Sequence, residues 1–215
     1  MSGRGGAHPA VGPVRAALAV NLPTALTLGR VAAIPVLVAT FYCGASWASA
    51  ASTGIFVMAA VTDWLDGYLA RRLNQSSSFG AFLDPVADKL MVVTTLTLLC
   101  GGYQGAPAWL FTAPSIIIIA REIAVGALRE WMATMGSEAR GAVAVNNIGK
   151  WKTATQMIAL AVLLWTGPCG TNDIPLITTT LSLYSIGVTL LYVASILTLW
   201  SMMIYFAGAA RSLAS

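Results

Sequence analysis

The sequence predicts an all-α integral membrane protein with six transmembrane helices, and three observations carry that prediction. Of 215 residues, 57% are hydrophobic and only 9% are charged. Apolar stretches of about 20 residues recur along the whole chain, each long enough to cross a bilayer as a helix. None of them alternates apolar with polar residues as a barrel strand must, and runs such as "MVVTTLTLLC" (91–100) and "SIIIIA" (115–120) are continuous. A soluble domain has no core large enough to hide so many long apolar segments. Within lipid, the α-helix is the remaining form that satisfies its own backbone.

Taken in order, the first span is expected at roughly 24–43, behind the Gly-rich stretch "MSGRGGAHPAVG". Residues 1–20 read as a disordered or transit-derived tail, with Arg4 and Arg15 but no acidic residue, and 21–210 as a single membrane domain. The second span, roughly 48–70, follows the short connection "GASWAS", and the third, roughly 82–101, follows a polar, charged connection. The fourth covers roughly 108–131 after "GGYQGAPAW", the fifth roughly 150–167, and the sixth roughly 182–207 after "TGPCGTNDIPL". Trp47, Trp109, Trp131, Trp151 and Trp165 fall near these span ends, as interfacial anchors do. No internal repeat or low-complexity tract interrupts the pattern.

The twelve Lys and Arg residues fix the orientation. Arg4, Arg15 and Arg30 precede or enter the first span, while Arg71, Arg72 and Lys89 flank the second connection. Arg121, Arg129 and Arg140 fall in or after the fourth, Lys150 and Lys152 open the fifth, and Arg211 follows the sixth. The three alternate connections quoted above contain no Lys or Arg. By the positive-inside rule both termini, and the end bearing most of the acids, face the cytosol, stroma or matrix. The net charge of +4 is then a topological and lipid-headgroup signal, too dispersed for nucleic-acid binding. Cys43, Cys100 and Cys169 lie near the opposite face with no CxxC spacing and read as structural. The single histidine, His8, is in the tail, which leaves histidine out of any catalytic or metal site.

The stretch "DWLDGYLARRLNQSSSFGAFLDPVADK" (63–89) breaks the apolar pattern with four of the eight carboxylates of the chain. At about 100° per residue, Asp63, Asp66, Gly67 and Ala70 share one helix face with Arg71 at its edge, and Asp84 and Asp88 share a face of the next helix. A charged Asp near a helix centre costs roughly 2.5–3.5 kcal/mol on insertion scales, and clustered Asp residues repel. A pair of hard divalent cations, Mg²⁺ or Mn²⁺, suits carboxylates that have no Cys or His among them. Gly67, Ala70 and Gly80 let a ligand approach the backbone between the acidic faces. Pairing of the Asp residues with Arg71, Arg72 and Lys89 is the plainer alternative.

The pattern Asp63-x2-Asp66-Gly67-x2-Ala70-Arg71-x8-Gly80-x3-Asp84-x3-Asp88 resembles, without one departure, the signature of the CDP-alcohol phosphatidyltransferases. The resemblance implies a six-span membrane enzyme, usually a homodimer. Such an enzyme transfers a phosphatidyl group from a CDP-lipid, here CDP-diacylglycerol, to an alcohol and releases CMP. It implies a polar cavity on the cytosolic, stromal or matrix side, with Asp63, Asp66, Asp84 and Asp88 at two divalent metals and Asp88 as the general base. Asp66, Gly67, Ala70, Arg71 and Gly80 are implied to bind the CDP-lipid.

The flanking stretches "NLPTALTLGRVAAIPVL", "AREIAVGALREWMA" and "GKWKTATQM" are similar to the members of that family whose acceptor is sn-glycerol 3-phosphate. "EARGAVAVNNIGKWKTATQMIAL" is similar to their plant and algal organellar versions. A chloroplast or mitochondrial inner membrane is the implied location, with a bacterial plasma membrane as the alternative.

A phosphorylated acceptor needs cations. Arg121, mid-span in "IIIIAREIAVG", is expensive unless it is used, and Arg30, Lys150 and Lys152 are expected to complete an acceptor-phosphate pocket with it. Interhelical pairing of Arg121 and interfacial snorkelling of the two lysines are the competing structural readings, and Arg129 and Glu130 carry no assigned role. Phosphatidylglycerol is the alternative acceptor. A cation transporter is the competing class, disfavoured because the acids stop on one side of the membrane.

Overall fold

Among the described residues, six α-helices form where the apolar runs place them. A computed structural model describes residues 22–73, 78–103, 106–135, 147–167 and 177–214. The helices are α1 (Leu22–Phe41), α2 (Ala48–Leu73), α3 (Ser78–Gly102), α4 (Trp109–Thr134), α5 (Asn147–Thr166) and α6 (Ile177–Ala214). The expected tail at 1–20 and Cys169 lie outside the described residues. The acidic stretch is more helical than its polarity suggests: α2 continues to Leu73 and α3 begins at Ser78, so both pairs of Asp positions ride on helices. The 38 residues of α6 make a rod of roughly 57 Å, well beyond the apolar thickness of a bilayer.

Four of the helices, among the described residues, are long and apolar enough to cross a membrane, through Thr24–Phe41, Ala48–Leu65, Trp109–Met132 and Leu183–Arg211. The other two, α3 and α5, are made less apolar by Asp84, Asp88, Lys89 and three threonines in one, and by Lys150, Lys152, Thr153, Thr155 and Gln156 in the other. Those polar residues are the ones with chemistry to contribute.

Packing follows a simple neighbour order. The most extensive contact is α5 on α6; α1 lies on α2 and α3, α4 joins α6 and α3, and α2 meets α5. The close approach of α5 and α6 depends on Gly187, where a Cβ would come within 2.9 Å of the Leu163 side chain. Leu37, Phe56, Leu96, Leu99, Ile118 and Leu160 form the middle of the core.

Burial is inverted relative to a soluble protein. Met58, Trp64, Ile123 and Ile196 are more than 60% exposed, whereas Ser52, Thr95, Thr198 and Lys152 are at most 2% exposed. An apolar exterior, with polar side chains kept inside among the apolar core, is what lipid as solvent selects. The five Trp residues expected as anchors, Trp47, Trp109, Trp131, Trp151 and Trp165, are all exposed.

One end of the bundle is closed by neutral groups. Tyr103 donates its hydroxyl hydrogen to the Leu163 carbonyl at 2.7 Å and lies 2.8 Å from Thr166 Oγ1, and it stacks on Phe111 at 4.7 Å between centroids. Burial pushes the Tyr103 hydroxyl up to about 12, so it stays a donor at any physiological pH. Ser52 bonds Thr40 across the α1–α2 turn, and Cys100 contacts Ser115. Gly167 ends α5 with φ +44, its N–H bonded to Leu163 O, and a Cβ there would sit 2.1 Å from Ser49 Oγ. Only glycine lets α5 stop this close to α2. Cys43 and Cys100 are free thiols.

Candidate active site

The opposite end gathers the charges. The chain crosses this end at the start of α1, the end of α2, the start of α3, the end of α4, the start of α5 and the end of α6. Each of the six described helices therefore contributes from the half nearer this charged end.

Arg30 of α1, 3% exposed, directs Nη1 at Asp63 Oδ1 of α2 (2.6 Å) and at Asp84 Oδ1 of α3 (3.4 Å). One buried guanidinium thus draws together the first half of the acidic motif and the second. Its partners remain accessible, with side chains 40% and 44% exposed, so the oxygens line a surface open to a ligand. Pro85 follows Asp84 inside α3. It removes one backbone N–H from the helix ladder between the two Asp residues of that helix.

A second cluster lies on α4, α5 and α6. Glu122 Oε1 accepts from Arg121 Nη1 at 3.0 Å and from Lys152 Nζ in a close ion pair. Arg121 Nη2 donates to Ser201 Oγ at 3.0 Å, and its guanidinium lies 5.6 Å from the Tyr205 ring centroid. Arg129 bonds the Tyr205 hydroxyl at 2.8 Å. Arg121 and Lys152 bring two positive charges to one carboxylate, leaving a net cationic, buried pocket. Asp88 lies within electrostatic reach of both clusters: the charges of Asp63, Arg30, Glu122 and Asp84 all act on it, and Lys152 feels Asp88 in turn.

The residues expected from the sequence are therefore distributed as follows. Asp63, Asp84 and Arg30 meet directly, Arg121 and Lys152 meet through Glu122, and Asp88 lies within electrostatic reach of both groups. Arg30 sits with the Asp residues, not with Arg121 and Lys152. Asp66, Gly67, Ala70 and Arg71 occupy the last turns of α2 and Lys150 the first turn of α5, but their side chains lie outside the described residues. Gly80 is in the first turn of α3. Among the described residues no three carboxylates stand close enough to hold a metal ion. The oxygens of Asp63 and Asp84 nevertheless converge on one cationic nitrogen, and a donor set of carboxylates alone suits a hard divalent ion. With Asp66 on the same helix face as Asp63, the residues fit such an ion.

Glu122, Gln156, Ser201 and Tyr205 were not singled out as site residues from the sequence. Their signal is periodicity: Lys152 and Gln156 are one turn apart on α5, as are Ser201 and Tyr205 on α6, marking polar faces in otherwise apolar helices.

Beside Arg30, an apolar groove of about 560 Å³ opens between α1 and α2, lined by Ala25, Gly29, Ala33, Gly54, Met58 and neighbours.

The sequence model of the CDP-alcohol phosphatidyltransferase family matches residues 20–207. An Arabidopsis thaliana protein named "CDP-diacylglycerol--glycerol-3-phosphate 3-phosphatidyltransferase 1, chloroplastic/mitochondrial" is 53% identical over 191 residues, covering 86% of this chain and 62% of the relative. A protein of Oryza sativa subsp. japonica named "Cardiolipin synthase (CMP-forming)" is 52% identical over 192 residues, 86% of this chain and 56% of the relative. The chain thus spans about three fifths of the length of these plant relatives. An Escherichia coli (strain K12) protein named "CDP-diacylglycerol--glycerol-3-phosphate 3-phosphatidyltransferase" is 49% identical over 193 residues, covering 90% of this chain and 97% of the relative.

Proposed function

The chain belongs to the CDP-alcohol phosphatidyltransferase family, and from that premise we propose that it transfers the phosphatidyl group of CDP-diacylglycerol to sn-glycerol 3-phosphate. The products are phosphatidylglycerophosphate and CMP. The observation that supports the proposal is that Asp88 lies within electrostatic reach both of the Asp63–Asp84 carboxylates, which suit a nucleotide pyrophosphate with its metals, and of the cluster of Arg121, Glu122 and Lys152, which suits a second phosphate. Relatives about half identical, from a plant and a bacterium, bear the name of this activity.

Asp63, Asp66, Asp84 and Asp88 would hold two divalent ions, Mg²⁺ or Mn²⁺. When bound, such ions offset the charge of the pyrophosphate and orient the attacked phosphate for in-line displacement. Asp66, Gly67, Ala70, Arg71 and Gly80 bind the cytidine diphosphate part of the lipid. The α1–α2 groove lets its chains remain in the bilayer. On the other side, Arg121, Lys150 and Lys152 hold the phosphate of the acceptor, and Arg30 balances the Asp residues at the shared boundary. Asp88 takes the proton from the attacking hydroxyl of the acceptor as its oxygen bonds to the lipid-side phosphorus; the bond from that phosphorus to CMP breaks, and CMP leaves with the electron pair. Glu122 positions Arg121 and Lys152 by accepting from both.

The protein acts as a six-span integral membrane enzyme, a homodimer by family resemblance, in a chloroplast or mitochondrial inner membrane; a bacterial plasma membrane is the alternative. A second reading, phosphatidylglycerol as acceptor, is favoured by the rice relative named cardiolipin synthase.

The test supplies purified protein with CDP-diacylglycerol and Mg²⁺, and in parallel with labelled glycerol 3-phosphate, phosphatidylglycerol or inositol phosphate. Labelled phosphatidylglycerophosphate in the first reaction, abolished by EDTA and restored by Mg²⁺ or Mn²⁺, is the expected result. Cardiolipin from the second reaction alone overturns the acceptor, and full turnover in EDTA overturns the metals.

A further inference from the structure

Two polar groups lie beneath the Arg121–Glu122–Lys152 cluster without partners. Gln156 is 4% exposed and its side-chain oxygen, Oε1, accepts no hydrogen bond. Thr198 is fully buried and its hydroxyl is likewise unpartnered, although a helical threonine ordinarily bonds the carbonyl one turn back. Buried polar groups are nearly always satisfied, and leaving one unsatisfied is costly. Two such groups on a pair of helices that pack against each other call for a ligand.

Their placement points to where that ligand lies. Gln156 is one turn deeper in the membrane than Lys152 on the same face of α5. Thr198 is one turn deeper than Ser201, the partner of Arg121, on α6. The two helices pack on each other more extensively than any other pair. Helical side chains lean toward the N-terminus of their helix, so Gln156 leans from its deeper position back toward Lys152 and Glu122. The unpartnered oxygen of Gln156 is thereby carried toward the cationic cluster.

We propose that Gln156, assisted by the Thr198 hydroxyl, is the specificity-determining residue for the acceptor, accepting a hydrogen bond from a hydroxyl that does not react. This rests on the reading of glycerol 3-phosphate as acceptor. Such an acceptor has three polar stations: a phosphate, for Arg121 and Lys152; a terminal hydroxyl, for Asp88; and a middle hydroxyl with no other assigned partner. A carbonyl oxygen held dry and unpaired selects for a donor at that third station, because an acceptor lacking it leaves the oxygen unsatisfied.

The experiment compares sn-glycerol 3-phosphate with 3-hydroxypropyl phosphate, which keeps the phosphate and the reacting hydroxyl but lacks the middle one. The wild-type protein in detergent should favour glycerol 3-phosphate in kcat/KM by about tenfold to a hundredfold, the scale of one buried hydrogen bond in a specific site. Gln156→Leu and Gln156→Met should lose that factor on glycerol 3-phosphate, barely change the deoxy analogue, bring the two acceptors within about threefold of each other, and leave the CDP-diacylglycerol KM unaltered. A ratio unchanged in the variants overturns the proposal. So does equal use of both acceptors by the wild type, which decides the matter even if neither variant folds. Turnover of neither acceptor, with phosphatidylglycerol used instead, refutes the acceptor reading itself and this inference with it.

Discussion

The two ends of the bundle are built from the same six helices and hold their polar groups in opposite ways. At the Tyr103 end the described side-chain contacts are between neutral groups: Thr40 with Ser52, Cys100 with Ser115, Tyr103 with Thr166 and the Leu163 carbonyl. At the Arg30 end ion pairs join α1 to α2 and α3 and join α4 to α5, and polar atoms of Arg121, Gln156 and Thr198 are left unpartnered. A neutral hydroxyl pair closes a bundle cheaply, whereas a buried charge persists only where something repays its desolvation. The difference separates a seal from a site.

That contrast can be broken by substitution, beginning with the largest effect. Asp88→Asn should lower turnover by about 10² to 10⁴, the usual range for losing a general base, while retaining CDP-lipid binding. Single-turnover CMP release alongside equilibrium nucleotide binding measures both, and near-normal turnover removes Asp88 as the base. Glu122→Gln leaves Arg121 and Lys152 facing a neutral partner. It should cost roughly 1.5–3 kcal/mol of stability, seen as a lower unfolding midpoint in detergent, and should raise the acceptor KM. No change in either would make the cluster an incidental ion pair.

The sealed end should respond in stability alone. Gly167→Ala forces a left-handed backbone on a residue with a Cβ and drives that Cβ into Ser49, for a loss of roughly 1–2 kcal/mol. Tyr103→Phe is the smallest change, about 1 kcal/mol for one hydrogen bond, with both substrate KM values unaltered. Kinetic effects from either, at normal folded yield, would mean that the two ends are coupled.

Much of this contrast is legible in the chain itself. Continuous apolar runs mark the helices because lipid permits no other open form, and the one-sided placement of Lys and Arg marks the charged end. The spacing from Asp63 to Asp88 identifies the acidic faces without coordinates. What the chain conceals is pairing across helices. Nothing local to "TLGR" says that Arg30 meets Asp63 and Asp84 and not the lysines of "GKWK", because that choice depends on α1 packing against α2 and α3. Glu122 likewise looks like a neighbour of Arg121 until α5 brings Lys152 to the same oxygen. Gln156 and Ser201 are ordinary polar residues in sequence, and only the contact of α4, α5 and α6 makes them part of a pocket.

The central claim is that the two clusters around Asp88 serve different substrates, and Arg121→Ala tests it most directly when the kinetics of both are measured on the same folded preparation. The acceptor KM for glycerol 3-phosphate should rise, or the acceptor-dependent rate fall, by about tenfold to a hundredfold, matching one charge-assisted contact to phosphate in a partly desolvated pocket. The KM for CDP-diacylglycerol should change far less, and Arg121→Lys should recover only part of the loss because it lacks the planar two-nitrogen grip. Unchanged glycerol 3-phosphate kinetics, or equal weakening of both substrates, would contradict the division and return Arg121 to a structural role.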